Sequence, residues 1–252
     1  MASVVNVLIA AATVLLAARL YLLSLHRPYR AFFFFLIFSA LQSVTLAVLN
    51  RTTSTYQMTC LLTEPIGWIF CAWVVLELYS LVLQDYHGLY TVGRWSLIVS
   101  ISAALLASGF SLIVPSHYTR QGYLMAYYYV AERAVYFSLA VLLLTILALL
   151  TRYPIVLKRN AILHSVIVSA YFIGNTAIFL MLSTRGIAVI PAAAYAIQAV
   201  NLVALGTWLV IFNAAGEQHQ QRLRPAWLPG REAELVTQLN SLNVAMLRAA
   251  RK

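Results

Sequence analysis

The sequence predicts an all-α, polytopic membrane protein: seven transmembrane helices, N-terminus outside and C-terminus inside, followed by a cytoplasmic amphipathic helix. The first observation behind this is composition. Of 252 residues, 62% are hydrophobic and only 10% charged, with mean hydropathy +0.83, whereas soluble domains carry about 25% charged residues. The second is length, since each apolar run is close to the roughly 20 residues that a helical span needs. The third is charge placement. A net charge of +10 would suit nucleic acid, but the basic residues sit in short gaps between apolar runs, as topology signals do. Membrane lipids are the expected surroundings and nucleic acid is not an expected partner.

Residues 3–23 form the first run, with no basic residue before Arg19. A secretory signal opens on a basic stretch and stops sooner, so this run reads as a retained helix. The gap Ser24–Arg30 is short and basic, and residues 31–49 make the second span. Residues 50–62 read as a polar loop. The third span, 63–84, opens on Thr63-Glu64-Pro65, with proline where a first turn tolerates it and Glu64 at the positive end of the helix dipole. Residues 85–94 form a turn, 95–114 the fourth span, and Gly122–Thr151 the fifth. A basic turn at 151–160 precedes the sixth span at 161–182, and the seventh covers 188–213.

Arg27 and Arg30, Arg94, Arg152, Lys158, Arg159 and the basic tail fall on one set of connections; Arg51, Arg120 and Arg185 fall singly on the other. The richer set is therefore cytoplasmic, and the expected location is a bacterial inner membrane. Three regions follow: a bundle at 1–215, a juxtamembrane linker at 216–230 around Trp227, and a cytoplasmic helix at 231–252. In that last helix Glu232 and Glu234 occupy the first turn while Arg248, Arg251 and Lys252 occupy the last, matching the dipole. Leu235, Leu239, Leu242 and Met246 recur as an a/d seam, which predicts a homo-oligomer or a partner protein held through residues 231–252.

The fifth span carries Glu132-Arg133 in its middle, and intramembrane charge needs partners. Adjacent residues point about 100° apart on a helix and neutralise each other poorly. Both lie roughly 13–16 Å below the outer edge of the span, and Glu77 about 20 Å below the start of its own. Tyr128, Tyr129 and Tyr136 share the Glu132 face, and Arg133 would reach Glu77 if their helices adjoin. Two readings stand: a polar pocket built on Glu77, Glu132, Arg133 and the tyrosines, or a structural clasp between helices. Glu77 with Ser80 and Gln84 forms a stripe suited to interhelical hydrogen bonding, as do Asn175, Gln198, Asn201 and Asn213. Glu64 reads as a helix-start residue at the outer interface.

Cys60 and Cys71 fall outside and inside the membrane in this reading, so no disulfide is expected. His87 and His164 read as interfacial residues at a wet helix edge, and no spacing builds a metal or cofactor site. Asn50-Arg-Thr52 matches a glycosylation sequon.

Rhodopsins and G-protein-coupled receptors share the layout but not the residues. The only lysines are Lys158 and Lys252, which leaves no Schiff-base lysine in the last helix, and Asp85-Tyr86-His87 lacks the central arginine of the receptor motif. A three-plus-one-plus-three sugar transporter is matched in topology, without its membrane-embedded prolines. Glu64-Pro65, Glu77-Leu78-Tyr79 and Gly88-Leu89, with the overall spacing, resemble poorly characterised bacterial seven-helix proteins and the seven-helix module preceding histidine kinases. That resemblance implies a sensor-like or accessory role and transfers no catalytic residue. The expectation is a non-enzymatic protein, with a small-solute transporter or channel as the alternative.

Overall fold

The computed structural model describes residues 2–49, 54–82, 95, 99, 102, 120–152, 156–185, 189–218, 220–222, 237, 240, 241 and 243–245. Among them the long helices are α1 (Ala2–Leu22), α2 (Arg30–Val48), α3 (Ser54–Val82), α4 (Arg120–Arg152), α5 (Arg159–Arg185) and α6 (Ile190–Ile211), followed by a short α7 (Ala214–Gln218). Two three-residue strands, β1 (Val156–Lys158) and β2 (Gln220–Arg222), pair antiparallel with Leu157 opposite Gln221. Among the described residues the fold is otherwise helical, and six helices are long and apolar enough to cross a membrane. Apart from Trp95, Val99 and Ser102, the expected fourth span at 95–114 lies outside the described residues, as do the sequon at Asn50, His87, Gln84 and the seam residues of the tail.

The six long helices close into a ring. α1 packs on α2, α2 on α3, α3 on α4, α4 on α5, α5 on α6, and α6 back on α1. Large apolar side chains point outward as well as inward: Leu15, Val44, Ile69, Val141, Val166 and Val203 are all exposed on the outer surface. A helix apolar all round belongs in lipid, where the outward side chains meet hydrocarbon.

Local chemistry sets the helix ends. α1 stops at a turn in which Ser24 takes φ 56°. There the Leu25 amide bonds the Leu20 carbonyl and the Ser24 amide bonds the Tyr21 carbonyl. This is a Schellman termination, with Leu20 and Leu25 buried as its hydrophobic contact. α2 begins after Tyr29 with no capping side chain of its own. Its unpaired first-turn amides are served from α3 instead: Glu77 Oε1 accepts from Ala31 N at 2.9 Å and Oε2 from Phe32 N at 3.4 Å. A carboxylate there satisfies two orphan donors and sits at the positive end of the α2 dipole. The far end of α6 receives the mirror treatment, because Arg19 of α1 donates to the carbonyls of Leu209 at 2.5 Å and Phe212 at 3.0 Å.

Three expectations are corrected here. α3 starts at Ser54 rather than near 63, so Pro65 lies inside the helix and Glu64 is no longer a helix-start residue. Proline cannot donate to the Leu61 carbonyl, a cost the packed helix tolerates through its neighbours. Cys60, expected in a loop outside the membrane, lies on the same long apolar helix as Cys71. His164 is fully buried instead of sitting at a wet edge, and its Nδ1 accepts from Trp208 Nε1 at 3.0 Å.

Candidate functional site: a polar chamber inside the helix ring

Closing six helices into a ring leaves a central cavity of about 210 Å³, and every one of them lines it. α1 contributes Ile9 and Thr13, α2 Phe35, Phe38 and Gln42, α3 Glu64, Gly67 and Cys71, α4 Glu132 and Tyr136, α5 Tyr171, Asn175 and Phe179, and α6 Asn201 and Trp208. Apolar rings and polar groups alternate around the wall. Such a mixture, with a few polar groups placed among aromatic ones, is the usual make-up of a small-molecule site.

Glu132 is the most consequential wall residue. It is only 4% exposed, and it hydrogen-bonds with Tyr128 and Tyr136. Tyr136 in turn bonds Tyr171, so phenol groups of α4 and α5 run away from the carboxylate in a short chain. Glu132 Oε2 nevertheless has no hydrogen-bond partner. A buried acceptor left unmatched costs about 1–3 kcal/mol, more when it carries charge. Glu64, brought inward by the early start of α3, is near enough for the two carboxylates to feel each other's charge. Gln42 Nε2 holds Glu64 Oε1 at 3.3 Å and Thr63 Oγ1 at 2.9 Å. Tyr129 stands outside this group, stacked on Phe179 and against Tyr128.

The structure separates residues that the sequence reading had joined. Arg133 does not meet Glu77: its Nη1 donates to Ser183 Oγ at 2.8 Å, tying α4 to α5. Glu77 is committed to the start of α2, at the opposite end of the bundle from Glu64. The reason is rotational, since Arg133 points about 100° from Glu132 and so leaves the chamber face. Asn175 donates within its own helix to the Tyr171 carbonyl rather than across helices, while Gln198 does bridge, donating to Asn6 Oδ1 at 2.8 Å.

At the Glu217 end the chamber meets a cluster of rings. Trp208, on the wall, packs against Phe32 at 4.7 Å between centroids, and His164 sits 4.5 Å from Phe32 and 5.5 Å from Tyr29. Below them lies a polar knot. Glu217 of α7 accepts from Tyr29 Oη at 3.2 Å and from Lys158 Nζ at 2.7 Å. Burial, with the Glu217 carboxylate beside it, pushes the Tyr29 phenol well above its usual range, so it stays a donor throughout the physiological span. Asn160 Nδ2 donates to the Asn213 carbonyl, and Asn213 Oδ1 accepts from Gly216 N.

Sequence reasoning missed Gln42, Tyr171, Trp208 and Glu217 as parts of these groups. Gln42 carried a usable signal, as an amide well inside an apolar run. Trp208 did not, since a tryptophan in the last span looks like belt or core. Among the described residues no set of three or more His, Cys, Asp or Glu side chains is placed to hold a metal ion. Comparison with protein-family models, curated proteins and solved structures found no match to this chain.

Proposed function

We propose that the chain is a non-enzymatic, seven-helix integral membrane protein, N-terminus outside and C-terminus cytoplasmic, that admits a small solute to its central chamber and reports it at the inner face. The observation that carries this reading is the chamber itself, walled by six helices and presenting the unmatched Glu132 Oε2. A seventh span is supported by the apolar run at 95–114 and by helical backbone at Trp95, Val99 and Ser102. The orientation follows from the basic residues: Arg27, Arg30, Lys158 and Arg159 all belong to the connections at the Glu77 and Glu217 end. A sensor is favoured by contiguity. The wall residue Trp208 bonds His164, His164 abuts Tyr29, and Tyr29 bonds Glu217, which stands just before the β2 strand and the C-terminal segment. A solute that shifts Trp208 has a packed route to the tail.

Thiol labelling tests access. In a background with both native thiols removed (Cys60→Ala, Cys71→Ala), Asn201→Cys in the chamber wall is expected to react with a small membrane-impermeant thiol reagent added from the outside of sealed vesicles, and not from the inside. Absence of reaction from either side would sink the solute chamber. Equal reaction from both sides would favour the transporter or channel, which would use the same polar interior. The tail is tested separately: deleting residues 231–252 is expected to lower the oligomer mass measured by light scattering in detergent while helicity is kept. An unchanged mass would refute assembly through that helix.

A further inference from the structure

We propose that the chamber is a binding site for a small organic monocation, an ammonium group seated between the Glu132 and Glu64 carboxylates with its apolar body against the aromatic wall. The proposal deepens the solute-binding reading above and rests on it. Its first support is the charge inventory of the cavity. Among the described residues two carboxylates line the space and no basic side chain does. Arg133, adjacent to Glu132 in sequence, is turned to Ser183. The ion pair found among the described residues, Lys158 with Glu217, belongs to the polar knot below the aromatic floor. Acidic groups at membrane depth are ordinarily paired, so a wall whose described residues carry two acids and no base is complementary to a cationic guest.

The second support is independent of charge counting. Glu132 is 96% buried by difference from its 4% exposure, the tyrosine hydroxyls engage its carboxylate, and Oε2 is left without a donor. An ammonium N–H is a donor of the right kind for that atom. The remaining wall decides what sort of cation. Phe35, Phe38, Phe179 and Trp208 present rings to the cavity. Aromatic faces attract organic cations, whereas calcium or magnesium needs about six oxygen ligands, and no three-residue ligand cluster is present among the described residues. The volume limits size. At about 210 Å³, the cavity exceeds the roughly 150 Å³ that accommodates benzene and falls short of the roughly 300 Å³ where drug-sized pockets begin.

Benzylammonium is a suitable probe, with benzyl alcohol and benzoate as its neutral and anionic counterparts. Each is titrated calorimetrically into the full chain in lipid nanodiscs, with empty nanodiscs subtracted and with sodium and calcium chloride as further titrants. Benzylammonium is expected to bind saturably and at least tenfold more tightly than benzyl alcohol, with no binding of benzoate or the inorganic ions. Glu132→Gln is expected to weaken it at least tenfold. Glu64→Gln, the second test should the first variant fail to fold, is expected to weaken it as well. Glu217→Gln, outside the chamber, is expected to bind as the parent does. Equal affinity for the alcohol, competition by sodium or calcium, or indifference to both chamber substitutions would overturn the proposal. If the alcohol or benzoate binds as well and Gly67→Phe abolishes that binding, the cation assignment falls while the solute chamber stands. Should nothing bind, the cation assignment also falls, and the labelling of Asn201→Cys decides whether the chamber reading falls with it.

Discussion

Replacing Glu77 by alanine is expected to destabilise the bundle by about 2–4 kcal/mol. Glu77 is the acceptor for two amides at the start of α2, and α2 has no capping side chain of its own. Ala31 and Phe32 are buried, so water cannot replace the lost acceptor cheaply. Each orphaned buried amide costs about 1–3 kcal/mol, and loss of a helix N-cap about 0.5–2 kcal/mol, with overlap between the two. Because the cap comes from α3, the loss loosens the α2–α3 contact as well as the α2 terminus. The unfolding midpoint in mixed dodecyl sulfate and mild-detergent micelles, followed by far-UV circular dichroism, measures the effect. Glu77→Gln separates its causes. An amide oxygen still accepts one bond but carries no charge towards the dipole, so this variant is expected to lose about half as much. An alanine variant with the parental midpoint would show that the cap is not what holds these helices together.

Gly216→Ala is expected to cost a similar amount, about 2–4 kcal/mol, by a steric route. A Cβ at position 216 would fall well inside contact distance of Asn160 Oδ1 and at 3.0 Å from Asn160 Cγ and Asn213 Oδ1. Asn160 is fully buried and donates to the Asn213 carbonyl at 2.8 Å, so it can move aside only by giving up that bond. Overpacking costs about 1–3 kcal/mol, and a stranded buried amide a further 1–3 kcal/mol or so. The damage is local to the end of the bundle where α5, α7 and β1 meet. Hydrogen exchange is expected to rise over residues 213–218 while the opposite halves of the helices keep their protection. A double-mutant cycle gives the sharper test. In the pair Asn160→Ala with Gly216→Ala the clash partner is gone, so the combined loss is expected to be smaller than the sum of the two. Strict additivity would place the cost of the alanine elsewhere.

Both predictions concern residues whose type was plain in the sequence and whose partners were not. Glu77 was visible as a polar residue in an apolar run. That it serves the start of α2 depends on which way α3 is turned, and no periodicity of α3 alone reports that. Arg133 shows the same limit. Its charge was legible, but its choice of Ser183 over Glu77 is settled by α4 packing against α5 along their length. Glu64 was misjudged for a different reason. Pro65 was taken for a first-turn residue, and the helix in fact begins at Ser54, which carries Glu64 from the expected interface to the chamber wall. Sequence rules for proline describe where it is cheapest, and a membrane bundle tolerates it elsewhere. The histidine at 164 was taken for a wet residue because it stands near a basic turn, yet four aromatic side chains enclose it.

The sequence by itself determined the class of the molecule: apolar helices long enough to span, their approximate limits, and the basic connections gathered at one end. Those properties follow from local composition, because the cost of placing a segment in lipid is a sum over its own residues. The tertiary structure alone decided that the helices close into a ring, that Glu132 and Glu64 share one chamber while Arg133 and Glu77 leave it, and that Gly216 must have no side chain. Such outcomes depend on the rotation of each helix about its axis and on which helices lie side by side. Rotation and adjacency are set by packing among segments far apart in the chain, which is why two buried acids were legible as a problem and only the folded bundle shows the space they face.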